Sequence, residues 1–116
     1  LPFVPALNAQ VQPDLSPDLD LDGVLALFST AAELADAELE VTAGEYGGLY
    51  VNYDFRTRDL ARLWEVLQSQ VYLDSKLGQQ LAIASIVTCE GNRGWDDYLL
   101  LHHYDRTLAL DTLPRG

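Results

Sequence analysis

The sequence predicts a single α+β domain in which two αββ units form an antiparallel sheet. The 116 residues are enough for one hydrophobic core. The apolar share of 48% and the charged share of 22% are close to globular averages. Helical and alternating apolar periods follow one another twice in the order αββ. Two helices packed on one face of a four-stranded sheet is the simplest arrangement that buries both helical stripes, and the N-terminal arm offers a fifth strand as an alternative.

The first 17 residues form a proline-rich arm that we expect to be extended. This arm holds four of the five prolines of the chain. Each proline removes a backbone donor and fixes φ, so a helix is disfavoured there. The run from Phe3 to Val11 has room for one short strand, which the prolines would restrict to an edge of the sheet.

Residues 18–55 are predicted to form the first, acidic αββ unit. Ser16 or one of the aspartates that follow it caps a helix that continues to about Leu39, because apolar residues recur there at steps of three and four. Residues 39–43 and 49–55 then alternate between apolar and polar side chains, with a glycine-rich run between them. This pattern predicts a β-hairpin.

Residues 57–105 are predicted to form the second αββ unit, which begins with a helix. Thr57 is placed to cap this helix. Gly78 is placed to end it, with a break near Asp74 and Ser75 as an alternative. Apolar residues at helical spacing between these signals predict the face that packs on the sheet.

The remaining strands of the second unit are predicted to be a hairpin at the centre of the sheet. Residues 81–90 are β-rich and nearly all apolar, as expected of a strand covered on both faces. Residues 91–94 read as a loop, 95–105 as the returning strand and 106–116 as a tail. A buried charge in this hairpin would lack a partner, so we expect one to cost several kcal/mol. The three positions at which we predict this effect are Ile83, Val87 and Leu101.

The charge of the chain is large and unevenly distributed. The net charge is −11 and the isoelectric point about 4.2, which argues against nucleic acid or an anionic membrane as a direct partner. Residues 1–55 hold ten acidic side chains and no Lys or Arg, whereas the rest of the chain holds eight acids and all seven bases. Two interpretations stay open: a solvated acidic face that aids solubility, or an anionic docking surface for a basic protein.

The sequence predicts neither a metal site nor a cofactor. Residues Asp18–Gly23 match the opening of a calcium-binding loop, but the twelfth position, which should supply a bidentate Glu, is Ser29. We therefore expect these aspartates to cap a helix, whose N-terminus favours anions. The chain has one cysteine, so an internal disulfide is excluded and a zinc cluster of cysteines is absent.

The cysteine and the two histidines are not expected to form a catalytic pair. If 91–94 is a four-residue loop, Cys89 lies opposite Asp96, and the position opposite His102 is roughly 20 Å away along the strand. A nucleophile and its base need to be about 3 Å apart. His103 follows His102 on a strand, so the two rings point to opposite faces and do not share a metal easily. We predict no catalytic residue.

Tyrosines beside carboxylates are the most informative side chains. Tyr46, Tyr50 and Tyr53 lie in the base-free half, and Tyr50 shares a strand face with Asn52 and Asp54. Aromatic anchors with a charged rim are typical of protein-binding patches. The alternative is that these rings pack under the helices. The residues predicted to bind a protein partner are Glu33, Asp36, Glu45, Tyr46, Tyr50 and Asp54.

A small acidic α+β domain with no cofactor motif resembles, at the level of general character, the immunity proteins of bacterial polymorphic toxin systems. The base-free stretch 1–55 and the tyrosines within it carry this resemblance. It implies a cytoplasmic protein that is not an enzyme and that neutralises a basic toxin or effector domain by steric and electrostatic blockade. A secretion chaperone that binds an effector is the second hypothesis, and a small enzyme of unknown reaction is the third.

Overall fold

The computed structural model describes residues 4–90 and 98–112 of the chain. Over these ranges the protein has an α+β fold with three α-helices, one short 3₁₀ turn and five strands. None of these helices is long and apolar enough to cross a membrane. In chain order the elements are β1 (Ala6–Val11), the 3₁₀ turn (Pro13–Leu15), α1 (Leu21–Leu34), β2 (Glu38–Glu45), β3 (Leu49–Arg56), α2 (Leu60–Gln70), α3 (Lys76–Ala84), β4 (Ser85–Glu90) and β5 (Tyr98–His102).

The five strands form one antiparallel sheet in the order β2-β3-β1-β4-β5. Strand β1 therefore lies at the centre, and the prediction that the N-terminal arm supplies an edge strand is wrong. Pro5 and Pro13 lie just outside β1 and do not interrupt its two hydrogen-bonded ladders. The arm thus provides the fifth strand that the sequence left as an alternative.

The central strand shows how the two faces of the sheet differ. Leu7, Ala9 and Val11 of β1 are fully buried, whereas Asn8 and Gln10 between them are half-buried. Successive side chains of a strand point to opposite faces, so one face of the sheet is apolar and the other is polar. The buried residues of α1 and α2, together with Leu81 of α3, belong to the same hydrophobic cluster as the apolar face of β1.

An aromatic cluster joins α1 to the sheet. Phe28 of α1 is fully buried, and its ring stacks on Tyr53 of β3 with centroids 4.5 Å apart. The ring also lies 5.7 Å from Phe55 and 6.5 Å from Tyr72. Tyr53 is therefore a core residue, and burial raises its pKa.

Helix α1 begins after one of the predicted caps but ends earlier than the predicted helix. The carboxylate of Asp20 accepts a hydrogen bond from the Gly23 backbone N–H at 3.2 Å, so the capping role expected of this aspartate run is confirmed at Asp20. The helix ends at Leu34, and Asp36 takes a left-handed φ of 53°. Leu39, expected at the end of the helix, belongs to β2.

The second predicted helix is two helices. Asp59 caps α2 by accepting a hydrogen bond from the Arg62 backbone N–H at 3.0 Å, so the assignment of this cap to Thr57 is wrong. The chain then breaks where the alternative placed the break, and Ser75 caps α3. The cap of α2 differs from the prediction because Thr57 and Asp59 are both suitable capping residues near the start of this helix.

Gly78 does not end a helix, contrary to the prediction, but allows two backbone segments to approach closely. It lies in the first turn of α3 and is buried. A Cβ atom at this position would lie 2.8 Å from the carbonyl oxygen of Val71 and 3.0 Å from the backbone nitrogen of Leu73. A glycine is therefore required where the chain between α2 and α3 folds back on α3.

The apolar run 81–90 is divided between a helix and a strand. Its first four residues complete α3, and only Ser85–Glu90 form β4. Ile83 consequently lies on α3 with half of its surface exposed, so the prediction that it is a core position is wrong. Val87 and Leu101 are 0% and 4% exposed, as expected of core positions.

Strands β4 and β5 form the predicted antiparallel hairpin with a different register and place. Cys89 lies opposite Leu99, not opposite Asp96, and β5 is an edge strand rather than part of the centre. Strand β5 also ends at His102, three residues before the predicted end. The predicted loop 91–94 and residues 95–97 lie outside the described part of the chain.

Candidate functional site

An open groove of about 540 Å³ lies at one end of the sheet. It is lined by the β2–β3 turn on one side and by the 3₁₀ turn on the other. Gly47 and Gly48 have φ values of 67° and 142°, and the Tyr46 backbone N–H donates to the Gly48 carbonyl at 3.0 Å. Positive φ values favour glycine, so these residues make the tight turn possible. We call this the β2–β3 groove, and its lining consists of Gln10, Gln12, Asp14, Leu15, Tyr46, Gly47, Gly48, Leu49 and Tyr50.

One side-chain contact fixes the two walls of the groove relative to each other. The Asp14 carboxylate on the 3₁₀ turn accepts a hydrogen bond from the Leu49 backbone N–H at 3.2 Å. A Cβ atom at Gly48 would lie 3.0 Å from the same carboxylate. The glycine therefore gives Asp14 room to reach the first residue of β3.

The groove carries exposed aromatic and apolar side chains. Tyr46 is 93% exposed, Leu49 is 51% exposed and Leu15 is 42% exposed. Tyr50 is half-buried and lies directly opposite Gly44, where a Cβ atom would meet its ring at Cε2 at 3.0 Å. Glycine opposite an aromatic residue lets the ring lie across the neighbouring strand, so Tyr50 is held in place before any partner binds.

A row of amide side chains extends from the groove along the polar face. Gln12 Nε2 donates to Gln10 Oε1 at 3.2 Å, and Gln10 Nε2 donates to Asn52 Oδ1 at 3.4 Å. Asn8 Nδ2 then donates to Asp54 Oδ1 at 2.7 Å. Sequence reasoning did not find this row, although the alternation of apolar and amide residues over 6–12 would have revealed it.

The structure separates the six predicted binding residues into two groups. Tyr46 and Tyr50 line the groove, and Asp54 lies four residues farther along β3, on the same face as Tyr50. Glu45 precedes Tyr46 at the end of β2 but pairs with Leu49, so it lies on the opposite face from Tyr50 and does not line the groove. Glu33 lies in the last turn of α1 and Asp36 precedes β2, so both are near the opposite end of β2. At about 3.3 Å per residue, the two ends of this strand are roughly 23 Å apart.

The surroundings of Asp36 differ from those of the groove. Asp36 lines a second cavity of about 650 Å³ together with Arg56, Arg58 and Arg62. The acids Glu38 and Asp59 also line it, so three carboxylates face three guanidinium groups. The local charge is therefore balanced there, whereas none of the described residues that line the β2–β3 groove is Lys or Arg.

His102 and Cys89 lie at different positions of the β4–β5 pair. His102 Nε2 lies 2.9 Å from the Ala82 carbonyl oxygen, and its ring centroid lies 5.1 Å from that of Tyr72. Burial lowers the pKa of His102, and the charges of His103 and Arg106 act in the same direction against the opposing effect of the Ala82 hydrogen bond. Cys89 is buried opposite Leu99, whereas His102 is opposite Val87.

A pH dependence follows from the burial of His102. Its folded-state pKa lies below the ordinary value of 6.5, so the unfolded chain binds the proton more readily than the folded one. The contribution to stability is therefore complete above pH 6.5 and is lost as the pH falls through the window below it. We expect the free energy of unfolding to fall more steeply from pH 7.5 to pH 5 in the wild type than in His102→Gln, by urea titration. Parallel pH profiles would contradict this.

Comparisons with protein-family models, curated proteins and solved structures gave no match. Within the described residues, no group of three or more His, Cys, Asp or Glu side chains is arranged to hold a metal ion. The role of the β2–β3 groove is therefore inferred from its own residues: two tyrosines, exposed leucines and the Asp14 carboxylate.

Proposed function

We propose that this protein binds a basic protein through the β2–β3 groove and neutralises it, as an immunity or inhibitor protein does. The observation that carries the proposal is the combination of Tyr46, Tyr50 and Leu49 in one groove beside the Asp14 carboxylate. The carboxylate of Glu45 lies at the adjoining end of β2. Tyrosines supply large contact area at low entropic cost, and such anchors in a charged rim dominate many interfaces.

The charge of the chain supports a basic partner in particular. The net charge is −11, and the ten acids of residues 1–55 have no base among them in sequence. Such a field accelerates encounter with a cationic protein and makes association sensitive to salt. Glu33, Glu45 and Asp54 then steer the partner, each with a modest effect on the association rate, whereas the arginines around Asp36 offset its charge. The tyrosines determine how slowly the partner dissociates.

Neutralisation follows from the size and rigidity of the binding element. The groove is lined by two turns that the Asp14 contact holds together, so little order is lost on binding. A rigid, acidic hairpin seated on the functional surface of a toxin or effector domain excludes its substrate by volume and opposes an anionic substrate by charge. No reaction step by this chain is needed.

The proposal is tested first by capture. The immobilised protein should retain a basic protein from a lysate of the source cells and release it with salt. The captured protein, identified by mass spectrometry, should arrest growth when expressed alone in a laboratory bacterium, and co-expression of this chain should restore growth. A captured effector that has no toxic activity would favour the secretion-chaperone alternative instead.

Tyrosine truncation locates the contact. We expect Tyr46→Ala and Tyr50→Ala each to weaken the captured complex by about 2 kcal/mol, chiefly through faster dissociation. Tyr98→Ala is the matched control, because Tyr98 is 60% exposed but lies on β5, the opposite edge of the sheet. Surface plasmon resonance measures both rates. An effect of Tyr98→Ala as large as those of the groove variants would contradict the proposed site.

A further inference from the structure

The two edges of the sheet are built differently. On β5, the Leu100 backbone N–H donates to Asp111 Oδ2 at 2.8 Å, and the Leu100 carbonyl accepts from the Asp111 backbone N–H at 2.7 Å. The C-terminal segment thus covers part of that edge. On β2, no hydrogen bond from residues 4–90 or 98–112 reaches the edge that faces away from β3.

The open edge of β2 is long and regular. All eight residues from Glu38 to Glu45 pair with β3 in one continuous antiparallel register. Six of the eight are exposed, and Val41 on the apolar side has 43% of its surface exposed. An exposed strand of this length whose outer edge has no partner among the described residues is a template for another strand.

The charges along this edge limit what can pair with it. Glu38 and Glu40 project from the polar face of β2. Glu38 lies directly opposite Arg56 of β3, whereas Glu40 lies directly opposite Asp54. Like charges at opposed positions are destabilising, and the Asn8 amide is the partner of Asp54. A second copy of this chain would bring further glutamates to the same edge, whereas a cationic strand would relieve the repulsion between Glu40 and Asp54.

We propose that β2 docks an extended, cationic segment of the partner, which adds to the sheet as a further strand beside β2. This proposal rests on the proposed function and names the chemistry of its partner. Lys or Arg residues at alternate positions lie next to Glu38 and Glu40, and apolar residues between them cover Val41. Main-chain hydrogen bonds hold the segment in place. The alternation of cationic and apolar side chains determines which segment is bound.

The docked strand continues into the site already described. The end of β2 at Glu45 adjoins Tyr46, which lines the β2–β3 groove. A segment of about eight residues that pairs with all of β2 therefore ends beside the groove tyrosines. The edge and the groove form one continuous surface along the hairpin.

A peptide of alternating valine and lysine, about as long as β2, tests the proposal. Two further versions of the peptide carry N-methyl groups on the backbone. In one version the backbone nitrogens of all valines are methylated, and in the other those of all lysines. Alternate N–H groups of a strand point to opposite edges, so methylation should block pairing in one version and spare it in the other. We expect one methylated peptide to bind at least about tenfold more weakly than the parent by fluorescence anisotropy, and the other to bind like it. Equal affinities of all three peptides would overturn the proposal.

Charge reversal distinguishes a local contact from the general field. Glu40→Lys should raise the dissociation rate of the parent peptide by about tenfold. Asp22→Lys, also a carboxylate-to-lysine change on an exposed residue of α1 but outside the proposed binding set, should leave that rate unchanged. Equal dissociation rates in the two variants would contradict docking on β2.

The peptide experiments on β2 and the tyrosine variants of the groove test separate claims. If the peptide does not pair with β2 but Tyr46→Ala still weakens the captured complex, the edge proposal fails and the proposed function stands. If the methylated peptides differ as expected but no basic protein is captured, the edge is a strand acceptor and the proposed function fails.

Discussion

Replacing Val87 with Asp is expected to lower the free energy of unfolding by at least about 3 kcal/mol, because the new carboxylate would be buried without a partner. Val87 is fully buried on β4 and lies directly opposite Ala9 of the central strand. A domain of this size has a total stability of about 5–15 kcal/mol, so much of its stability would be lost. Urea titration followed by circular dichroism measures the change.

Ile83→Asp is the matched control for this experiment. It introduces the same aspartate four residues earlier, but Ile83 is half-exposed on α3. We expect a loss below about 1 kcal/mol there, since the new charge stays in contact with water. Equal losses at Ile83 and Val87 would mean that residues 81–90 form one buried strand after all.

Replacing Phe28 with Ala is expected to cost about 3–5 kcal/mol, because the substitution removes a large side chain from a packed core and leaves a cavity. Phe28 is fully buried and lies within aromatic contact distance of Tyr53, Phe55 and Tyr72. Leu25→Ala on the same helix is the control, because Leu25 is 43% exposed. In thermal and urea unfolding, Phe28→Ala should be far less stable than Leu25→Ala. Similar stabilities of the two variants would mean that the core lies elsewhere.

Local periodicity predicted the acidic hairpin closely. Alternating side chains over 49–55 and a glycine-rich run before them predicted β3 and its turn, because both are set by short-range chemistry. The face shared by Tyr50, Asn52 and Asp54 was predicted for the same reason, since strand alternation has a fixed period.

The position of a strand in the sheet depends on long-range pairing, which local patterns do not contain. Prolines suggested an edge for the N-terminal arm, yet β1 fits between Pro5 and Pro13 and pairs on both sides. Likewise, the first four residues of the apolar run 81–90 fit the pattern of a strand and the pattern of a buried helix equally well. The cap at Ser75 and the close approach at Gly78 decide in favour of the helix there.

The candidate site was predicted in its residue types but not in its full geometry. Tyrosines and acids pointed to the hairpin, and Glu45, Tyr46 and Tyr50 indeed share one end of it. The contribution of Asp14 and the amide row was missed, because both belong to a segment that is distant in sequence and comes close only through the central position of β1.

Hydrogen exchange of the complex with the captured basic protein locates the interface. The backbone amides of β2, β3 and the 3₁₀ turn should exchange more slowly in the complex than in the free protein, because the proposed partner lies on the β2–β3 groove and on the open edge of β2. Amides of α3 and β5 should exchange at unchanged rates. Protection confined to α3 and β5, with β2 and the groove unaffected, would contradict the account and place the interface in the half of the chain that is nearly neutral.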